Sequence, residues 1–165
     1  AVFVKKLSFS IALYDVKIHG KYAYFSTEDG LHITDVTNLA NPVEIGFVSV
    51  GDRAFASYVK GNFAYVAIGN SGVAIVDIST PKTPILKSTL KIYGRAVSVA
   101  GKDNLIYVAA ENGGLRIFDI SIQTNPIEIA HYNSSGYIEN VTVDDKYIYA
   151  SDAVEGLLIF RVVQP

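Results

Sequence analysis

The sequence contains no cysteine, no methionine and no tryptophan. Without cysteine, the chain has no disulfide, no thiolate metal site and no cysteine nucleophile, and its redox compartment is left open. The lack of an initiator methionine indicates a chain that is processed or excerpted from a longer one. Long apolar runs are also missing, since no stretch approaches the ~18 residues of a membrane-spanning helix. We therefore expect no membrane span.

Charge is scarce and nearly balanced. Only 18% of the residues are charged, with 14 basic against 16 acidic side chains. A nucleic-acid-binding protein normally carries a basic excess that neutralises phosphates, so we expect no nucleic-acid partner. Half of the 165 residues are hydrophobic, which excludes intrinsic disorder and predicts a large buried fraction.

What the sequence does contain is an internal repeat. The pattern Gly-hydrophobic-x-Ile-x-Asp recurs with its glycines at intervals of 42 residues: Gly30, Gly72, Gly114 and, with Arg161 in place of the aspartate, Gly156. Four short alternating runs surround each glycine, and none has the 3.6-residue period of a helix. A four-stranded repeat of this length is typical of a β-propeller blade, which buries its faces against neighbouring blades. We predict an all-β propeller of four-stranded antiparallel blades, as a single domain or a half-propeller spanning residues 1–165.

The two ends of the chain belong to one blade type. Residues 1–20 align without a gap to residues 42–61, so the chain begins with an outermost strand and ends with a third strand. We expect the N-terminal strand to complete the C-terminal blade, which would remove an exposed sheet edge. Three arrangements remain open: a closed four-bladed monomer, a homodimer completing an eight-bladed ring, or part of a longer propeller. We favour the eight-bladed assembly of two chains.

An aspartate ends the third strand of the first three repeats: Asp35, Asp77 and Asp119. Each is followed by Val-Thr or Ile-Ser and then, at a fixed distance, by proline. Three such carboxylates could line a cation site. The interpretation that we favour is structural, because aspartate commonly accepts hydrogen bonds from backbone N–H groups in turns.

The repeat resembles the LVIVD repeat, a family named for a strand that matches Val73–Asp77 here. The resemblance covers essentially the whole chain in four copies, through Gly-Leu-x-Ile-x-Asp-Ile-Ser, a following Asn-Pro or Thr-Pro, and an aromatic Tyr-Val-Ala run. It implies a β-propeller, commonly in secreted or cell-surface proteins of bacteria and archaea, and it implies no reaction. We therefore expect an extracellular or cell-surface location.

Motifs for catalysis or cofactor binding are absent from the sequence. The three histidines fall at different blade positions without metal-ligand spacing, so we expect no metal site. Ser71 lacks the spacing and the strand-to-helix setting of a nucleophile elbow. No glycine-rich phosphate loop is present, and we expect no cofactor and no catalytic residue.

Recognition is then expected in the loops, which vary from blade to blade on a repeated scaffold. One set joins each outer strand to the next blade, at residues 10–12, 51–53, 93–95 and 135–137; the other contains the hairpin tips before the repeat glycines, at residues 28–29, 70–71, 111–112 and 152–155. Arg and Tyr side chains supply large contact areas with directional donors. The candidate binding residues are Arg53, Tyr93, Arg95, Tyr137, Glu111 and Asp152.

The expected function is that of a non-catalytic interaction or structural module that recognises a protein or a surface polymer. Two alternatives remain. One is a propeller enzyme with a metal or acidic pocket in the central channel, for which Asp15, Glu139 and Asn140 are the polar candidates on inner strands. The other is a glycan-binding propeller, for which the related loops of Tyr93 and Tyr137 would supply the stacking aromatic rings.

Overall fold

The computed structural model describes residues 2–8 and 10–161, which form fifteen strands and contain no helix, hence none that could span a membrane. The strands fall into four antiparallel sheets in sequence order. The first two sheets contain β1 Leu13–His19, β2 Tyr22–Thr27, β3 Leu31–Asp35, β4 Val43–Val48, β5 Ala56–Lys60, β6 Phe63–Ala67, β7 Val73–Asp77 and β8 Ile85–Leu90. The last two contain β9 Ser98–Lys102, β10 Leu105–Ala109, β11 Leu115–Asp119, β12 Ile127–Tyr132, β13 Ile138–Val143, β14 Ile148–Asp152 and β15 Gly156–Phe160.

Each sheet is one blade, and the apolar core lies between successive blades. Blades 1 and 2 enclose a cluster that includes Ile33 and Val66, and blades 2 and 3 enclose one that includes Ile75 and Val108. Blades 3 and 4 enclose a third, around Leu115 and other side chains. Because side chains alternate across a strand, the middle blades bury both faces. The predicted β-propeller of repeated antiparallel blades is confirmed.

The repeat glycines are required by both conformation and space. Gly72 has a φ of 99°, and a Cβ atom there would lie 2.1 Å from the carbonyl oxygen of Leu90 on the outer strand. Gly114 repeats the arrangement, with a φ of 75° and the carbonyl oxygen of Tyr132 at 2.0 Å. Only glycine combines this backbone conformation with so close an approach, which explains the fixed interval of the motif.

The fourth blade differs from the sequence prediction. It contains three strands, and residues 2–8 form no strand and are exposed instead of completing it. The remaining residues of the expected strand, Ala1 and Phe9, lie outside the described part of the chain, as do residues 162–165 after Arg161. The physical reason lies at the inner strands: β1 packs beside β5, β5 beside β9 and β9 beside β13, but no comparable packing joins the described strands β13 and β1. The N-terminal segment is therefore not carried to the edge of β15.

Candidate functional site

The two loop sets meet at one end of the propeller, and we refer to them together as the loop face. Contacts across the sets tie each connecting loop to a hairpin tip. Nη2 of Arg53 lies 3.1 Å from Oε1 of Glu28, and Ser71 Oγ donates to Oδ2 of Asp52 at 3.0 Å. At blade 4, the backbone N–H of Ser135 donates to Oε1 of Glu155 at 2.6 Å. The loops thus form one hydrogen-bonded surface.

Arg95 is held in place from two sides. Its guanidinium carbon lies 4.5 Å from the ring centroid of Phe55, and its Nη1 forms an ion pair with Oε1 of Glu111. A cation above an aromatic ring is attracted to the negative face of the ring. Both members of the ion pair remain partly exposed, so this arrangement presents an oriented guanidinium and carboxylate to a partner.

The backbone of Glu111 is strained. It has a φ of 45°, in the left-handed region that non-glycine residues rarely adopt. The equivalent residue of blade 2 is Gly69, whose φ is 61°, and both residues form an isolated bridge to the next blade, with Ile138 and Ala96 respectively. Blade 3 therefore has a glutamate at the position where blade 2 has glycine, which adopts this conformation without strain. Such outliers cluster at functional sites.

Tyr93 and Tyr137 supply exposed aromatic surface. Their relative exposures are 67% and 53%. The Tyr93 ring lies 5.2 Å from the guanidinium carbon of Arg116, whose own side chain is buried and donates from Nε to the Gly113 carbonyl at 2.8 Å. The carbonyl of Tyr137 accepts a hydrogen bond from the Ala153 N–H at 3.0 Å. Both loops are tied to their hairpin tips, which limits the entropy lost on binding.

Asp152 is placed differently from the other candidates, because it is buried beneath its hairpin. Its Oδ1 accepts hydrogen bonds from the N–H groups of Val154 and Glu155, each at 2.8 Å, and its Oδ2 accepts one from Ser134 Oγ at 2.6 Å. Burial opposes ionisation of Asp152, but these hydrogen bonds outweigh it and lower the pKa of the carboxyl group. Asp152 thus shapes the tip instead of presenting a charge at the loop face.

The recurring aspartates lie at the opposite ends of the third strands, away from the loop face. Oδ1 of each accepts the backbone N–H two residues further on, at 2.9 Å for Asp35, 3.0 Å for Asp77 and 2.7 Å for Asp119. The pKa of each carboxyl group is lowered, first by the hydroxyl and then by the N–H of that same Thr or Ser. They do not converge, and the described residues contain no cluster of three or more His, Asp or Glu suited to a metal ion.

Two buried polar residues beside the loop face escaped sequence analysis. Nε2 of His32 lies 2.9 Å from Oδ1 of Asp29, and its Nδ1 lies 2.9 Å from Oε1 of Glu44. Arg116 contacts Oε1 of Glu128 at 3.1 Å. Both occupy the position that Ala74 fills in blade 2. The sequence did contain a signal for both residues, namely a polar side chain at a repeat position that is apolar in another blade. Because a buried charge needs a partner, such a side chain indicates a polar contact nearby.

A cleft of ≈520 Å³ opens between blades 3 and 4 at the end opposite the loop face. Lys102 borders it and donates to Oδ1 of Asp145 at 3.1 Å. Tyr107 forms one wall, and burial raises the pKa of its phenol. At the junction of blades 2 and 3, the equivalent Tyr65 donates from Oη to the carbonyl of Gln123 at 3.1 Å. This cleft is the main alternative to the loop face as a binding location.

The fold and its loops define a β-propeller whose blades each follow one sequence motif. A family model, described as the LVIVD repeat, matches residues 13–50, 57–91 and 93–134. The chain belongs to the LVIVD repeat family. No curated protein matches it.

Among solved structures, the computationally designed Ika4 protein superposes with a TM-score of 0.75 at 12% identity, over 99% of both chains. The designed Ika8 protein gives 0.71 at 12% identity, over 90% of this chain and 45% of its own. A chain in the S. cerevisiae complex of a Dbp5 variant with Nup159, a Gle1 variant, IP6 and ADP gives 0.61 at 13% identity, over 96% of this chain and 48% of its own. The chain thus spans about half of the latter two, and at these identities the likeness concerns the fold alone.

Proposed function

We propose that this LVIVD propeller acts by binding, as a non-catalytic module that recognises a protein or surface polymer through its loop face. The observation that carries the proposal is the strained Glu111, which holds Arg95 against the ring of Phe55. Gly69 occupies the same backbone conformation in blade 2, so the glutamate adds a side chain that the turn itself does not require. A recognition role would account for the strain.

The exposed rings of Tyr93 and Tyr137 lie in the two loops that enter blades 3 and 4, and Arg95 shares the loop of Tyr93. Aromatic and arginine side chains dominate binding energy at protein interfaces. Arg53 extends the same surface towards blade 1 through its ion pair with Glu28. The proposed partner is a protein, or a surface polymer with acidic and hydrogen-bonding groups, met outside the cell or at its surface.

The experiment compares binding to intact cells of the organism that encodes the chain. Fluorescently labelled chain is titrated onto the cells, and the apparent Kd is measured by flow cytometry. The variant that combines Arg53→Ala, Tyr93→Ala, Arg95→Ala and Tyr137→Ala should bind at least about 10-fold more weakly, since a combined loss of only about 1.4 kcal/mol from the four anchors is tenfold.

The matched control combines Lys82→Ala, Lys102→Ala, Ile122→Ala and Tyr147→Ala, four changes outside the loop face, and it should bind as the unmodified chain does. Loss of binding in the control alone would place recognition away from the loop face and contradict the proposal. Competition by soluble polysaccharides from the same cells, against competition by surface protein, identifies the partner class. Chemical turnover of either class by the chain would overturn a purely binding role.

A further inference from the structure

The three junctions between successive blades bury the same repeat positions. The exposed face of blade 1 and the exposed face of blade 4 can therefore be compared with these junctions, position by position. In each junction, the earlier blade contributes its third strand: Leu31 and Ile33 to the first, Val73 and Ile75 to the second, Leu115 and Ile117 to the third. The later blade contributes its inner strand, through Val99 in the second junction and Val141 in the third. We call the face that a blade packs against the following blade its forward face, and the face that it packs against the preceding blade its backward face.

The forward face of blade 4 is exposed. Leu157 and Ile159 stand at the repeat positions of Leu115 and Ile75, and they are 65% and 56% exposed. Leu115 is 0% exposed and Ile75 is 1% exposed within their junctions. The apolar side chains that join one blade to the next are therefore present on blade 4, without a following blade against them in the described chain.

The backward face of blade 1 is exposed in the same way. Val16 is 47% exposed, whereas Val99 and Val141 at its repeat position are 3% and 4% exposed. Ile18, at 66% exposure, stands at the position of Val59, which packs against the first junction. The two open faces are the two halves of one further junction.

The outer edge of blade 4 also lacks a strand. A Cβ atom on Gly30, Gly72 or Gly114 would meet the carbonyl oxygen of an outer strand within 2.3 Å, but a Cβ atom on Gly156 would meet nothing within 4 Å. The position that an outer strand covers at the other three repeat glycines is therefore open at Gly156. Residues 2–8 have the sequence of such a strand and are exposed. An open sheet edge and a segment with the sequence of an outer strand are thus present in one chain.

We propose that a second copy of this chain supplies the missing junction and the missing strand. Blade 4 of each copy packs against blade 1 of the other, and residues 2–8 of each copy add to β15 of its partner as an outer strand. By the register of β3 with β4, Lys5 lies opposite Ile159 of the partner subunit and Leu7 opposite Leu157 of the partner subunit. Two such head-to-tail contacts close a ring of eight blades with two-fold symmetry.

The arrangement follows the path that the chain already takes between its own blades. In blade 1, β4 leaves the outer edge of the sheet and leads into β5, the inner strand of blade 2. Residues 2–8 precede β1 in the same order, so a partner's blade 4 beside β1 places this segment at the edge of β15. Each junction and each strand addition therefore depends on the other.

The first test is the mass of the 165-residue chain in solution, measured by native mass spectrometry and light scattering. The expected species has twice the 17.9 kDa chain mass. Ile18→Glu or Ile159→Glu places a charge in the junction and should weaken dimerisation at least 100-fold, with cooperative unfolding retained. The control Ile122→Glu changes a residue that is equally exposed and lies outside both faces, and it should remain dimeric. A monomer at 100 µM for the unmodified chain would overturn the proposal.

A second test uses the space at Gly156. Gly156→Ala and Gly20→Ala both add a methyl group at a positive φ with no neighbouring atom in the single chain, with φ values of 83° and 59°. An added outer strand would meet the methyl group at residue 156 only. Gly156→Ala should therefore weaken the dimer at least 10-fold, and Gly20→Ala should leave it unchanged. Equal effects of the two changes would contradict strand addition.

A third test distinguishes exchange between copies from closure within one chain. Since the chain contains no cysteine, Lys5→Cys and Ile159→Cys introduce the only thiols, at positions that strand pairing would bring within disulfide distance. Oxidation should produce a covalent dimer on non-reducing gels. An intrachain disulfide would instead indicate a closed four-bladed monomer, and no disulfide would indicate an unpaired segment; either result overturns the proposal.

Discussion

At the residue scale, the aspartate at the end of each third strand is a local stabiliser. Asp77 accepts the N–H of Ser79 at 3.0 Å, an arrangement comparable to a helix N-cap. Asp77→Ala should lower the free energy of unfolding by about 1 kcal/mol, because the N–H loses its acceptor. Urea denaturation monitored by circular dichroism measures this change. Unchanged stability with lost partner binding would show that Asp77 belongs to a site.

The lowered pKa values of these turn aspartates should make the free energy of unfolding depend on pH. The pKa of Asp77 is lowered by hydrogen bonds from the hydroxyl and N–H of Ser79, and those of Asp35 and Asp119 are lowered in the same way. A lowered folded-state pKa means that the stabilisation is present above the unfolded value, about 4, and is lost as the pH falls through the folded value.

We therefore expect the urea midpoint to fall on acidification below about pH 4. Asp77→Asn keeps an oxygen acceptor but has no charge to titrate, so its deficit relative to the unmodified chain should be present at neutral pH and vanish in acid. A deficit that grows on acidification would contradict the assignment.

At position 111, glycine should give a more stable protein than alanine, which is the reverse of the usual order. Alanine at a φ of 45° keeps the backbone strain and loses the carboxylate, whereas glycine relieves the strain. Glu111→Gly should be more stable than Glu111→Ala by about 1 kcal/mol, as measured by urea denaturation. Both variants should bind the partner more weakly, because Arg95 loses its ion pair. An alanine variant as stable as the glycine variant would show that this conformation is not strained.

Residue roles could be predicted from the sequence where the repeat isolates them. Asp35, Asp77 and Asp119 recur beside Thr or Ser, and this recurrence suggested the turn that the structure contains. His32 and Arg116 were missed, because their partners Glu44 and Glu128 lie on the adjacent strand and are twelve residues away. Which side chains meet across two strands depends on the register of the strands, and a single sequence does not show that register.

At the element scale, the main constraint is the close approach of the repeat glycine to the outer strand of its blade in the first three blades. Gly72→Ala would bring a methyl group 2.1 Å from the carbonyl oxygen of Leu90 and should cost at least about 2 kcal/mol. Gly20→Ala has a positive φ but open space, so it should cost only about 1 kcal/mol. Thermal unfolding of the two variants gives the comparison, and equal melting temperatures would show that the outer strand shifts freely.

Strand order and spacing were predictable because each blade repeats them. The fate of the N-terminal segment was not, because alignment assigns residues 2–8 to an outer strand without stating whose sheet edge they join. That choice depends on whether β1 and β13 meet, a contact determined by the accumulated rotation between blades. The contacts that determine this rotation join residues of different blades, and a single sequence does not show which residues meet.

At the scale of the whole molecule, the blades of the propeller follow one another in sequence order, and the middle two are covered on both sides. Hydrogen exchange should therefore be slowest in β6 and β10, whose side chains are almost entirely buried, and faster in β1 and β15. If the ends meet in a second copy, protection of β1 and β15 should rise with protein concentration while β6 and β10 stay constant. Mass spectrometry of peptic fragments resolves these regions, and uniform protection would contradict a stepwise array.

The two open faces differ from each other, and this difference has a consequence for polymerisation. In the proposed association a forward face meets a backward face, so each added copy would leave one face of each type at the ends until a ring closes. Whether the result is a ring or a fibre depends on the rotation per blade, to which the contact of Gly101 with the ring of Tyr58 contributes; a Cβ atom there would lie 2.3 Å from that ring. A larger residue at position 101 would change the angle between blades 2 and 3, and with it the angle at which the two end faces of the chain are presented to a second copy.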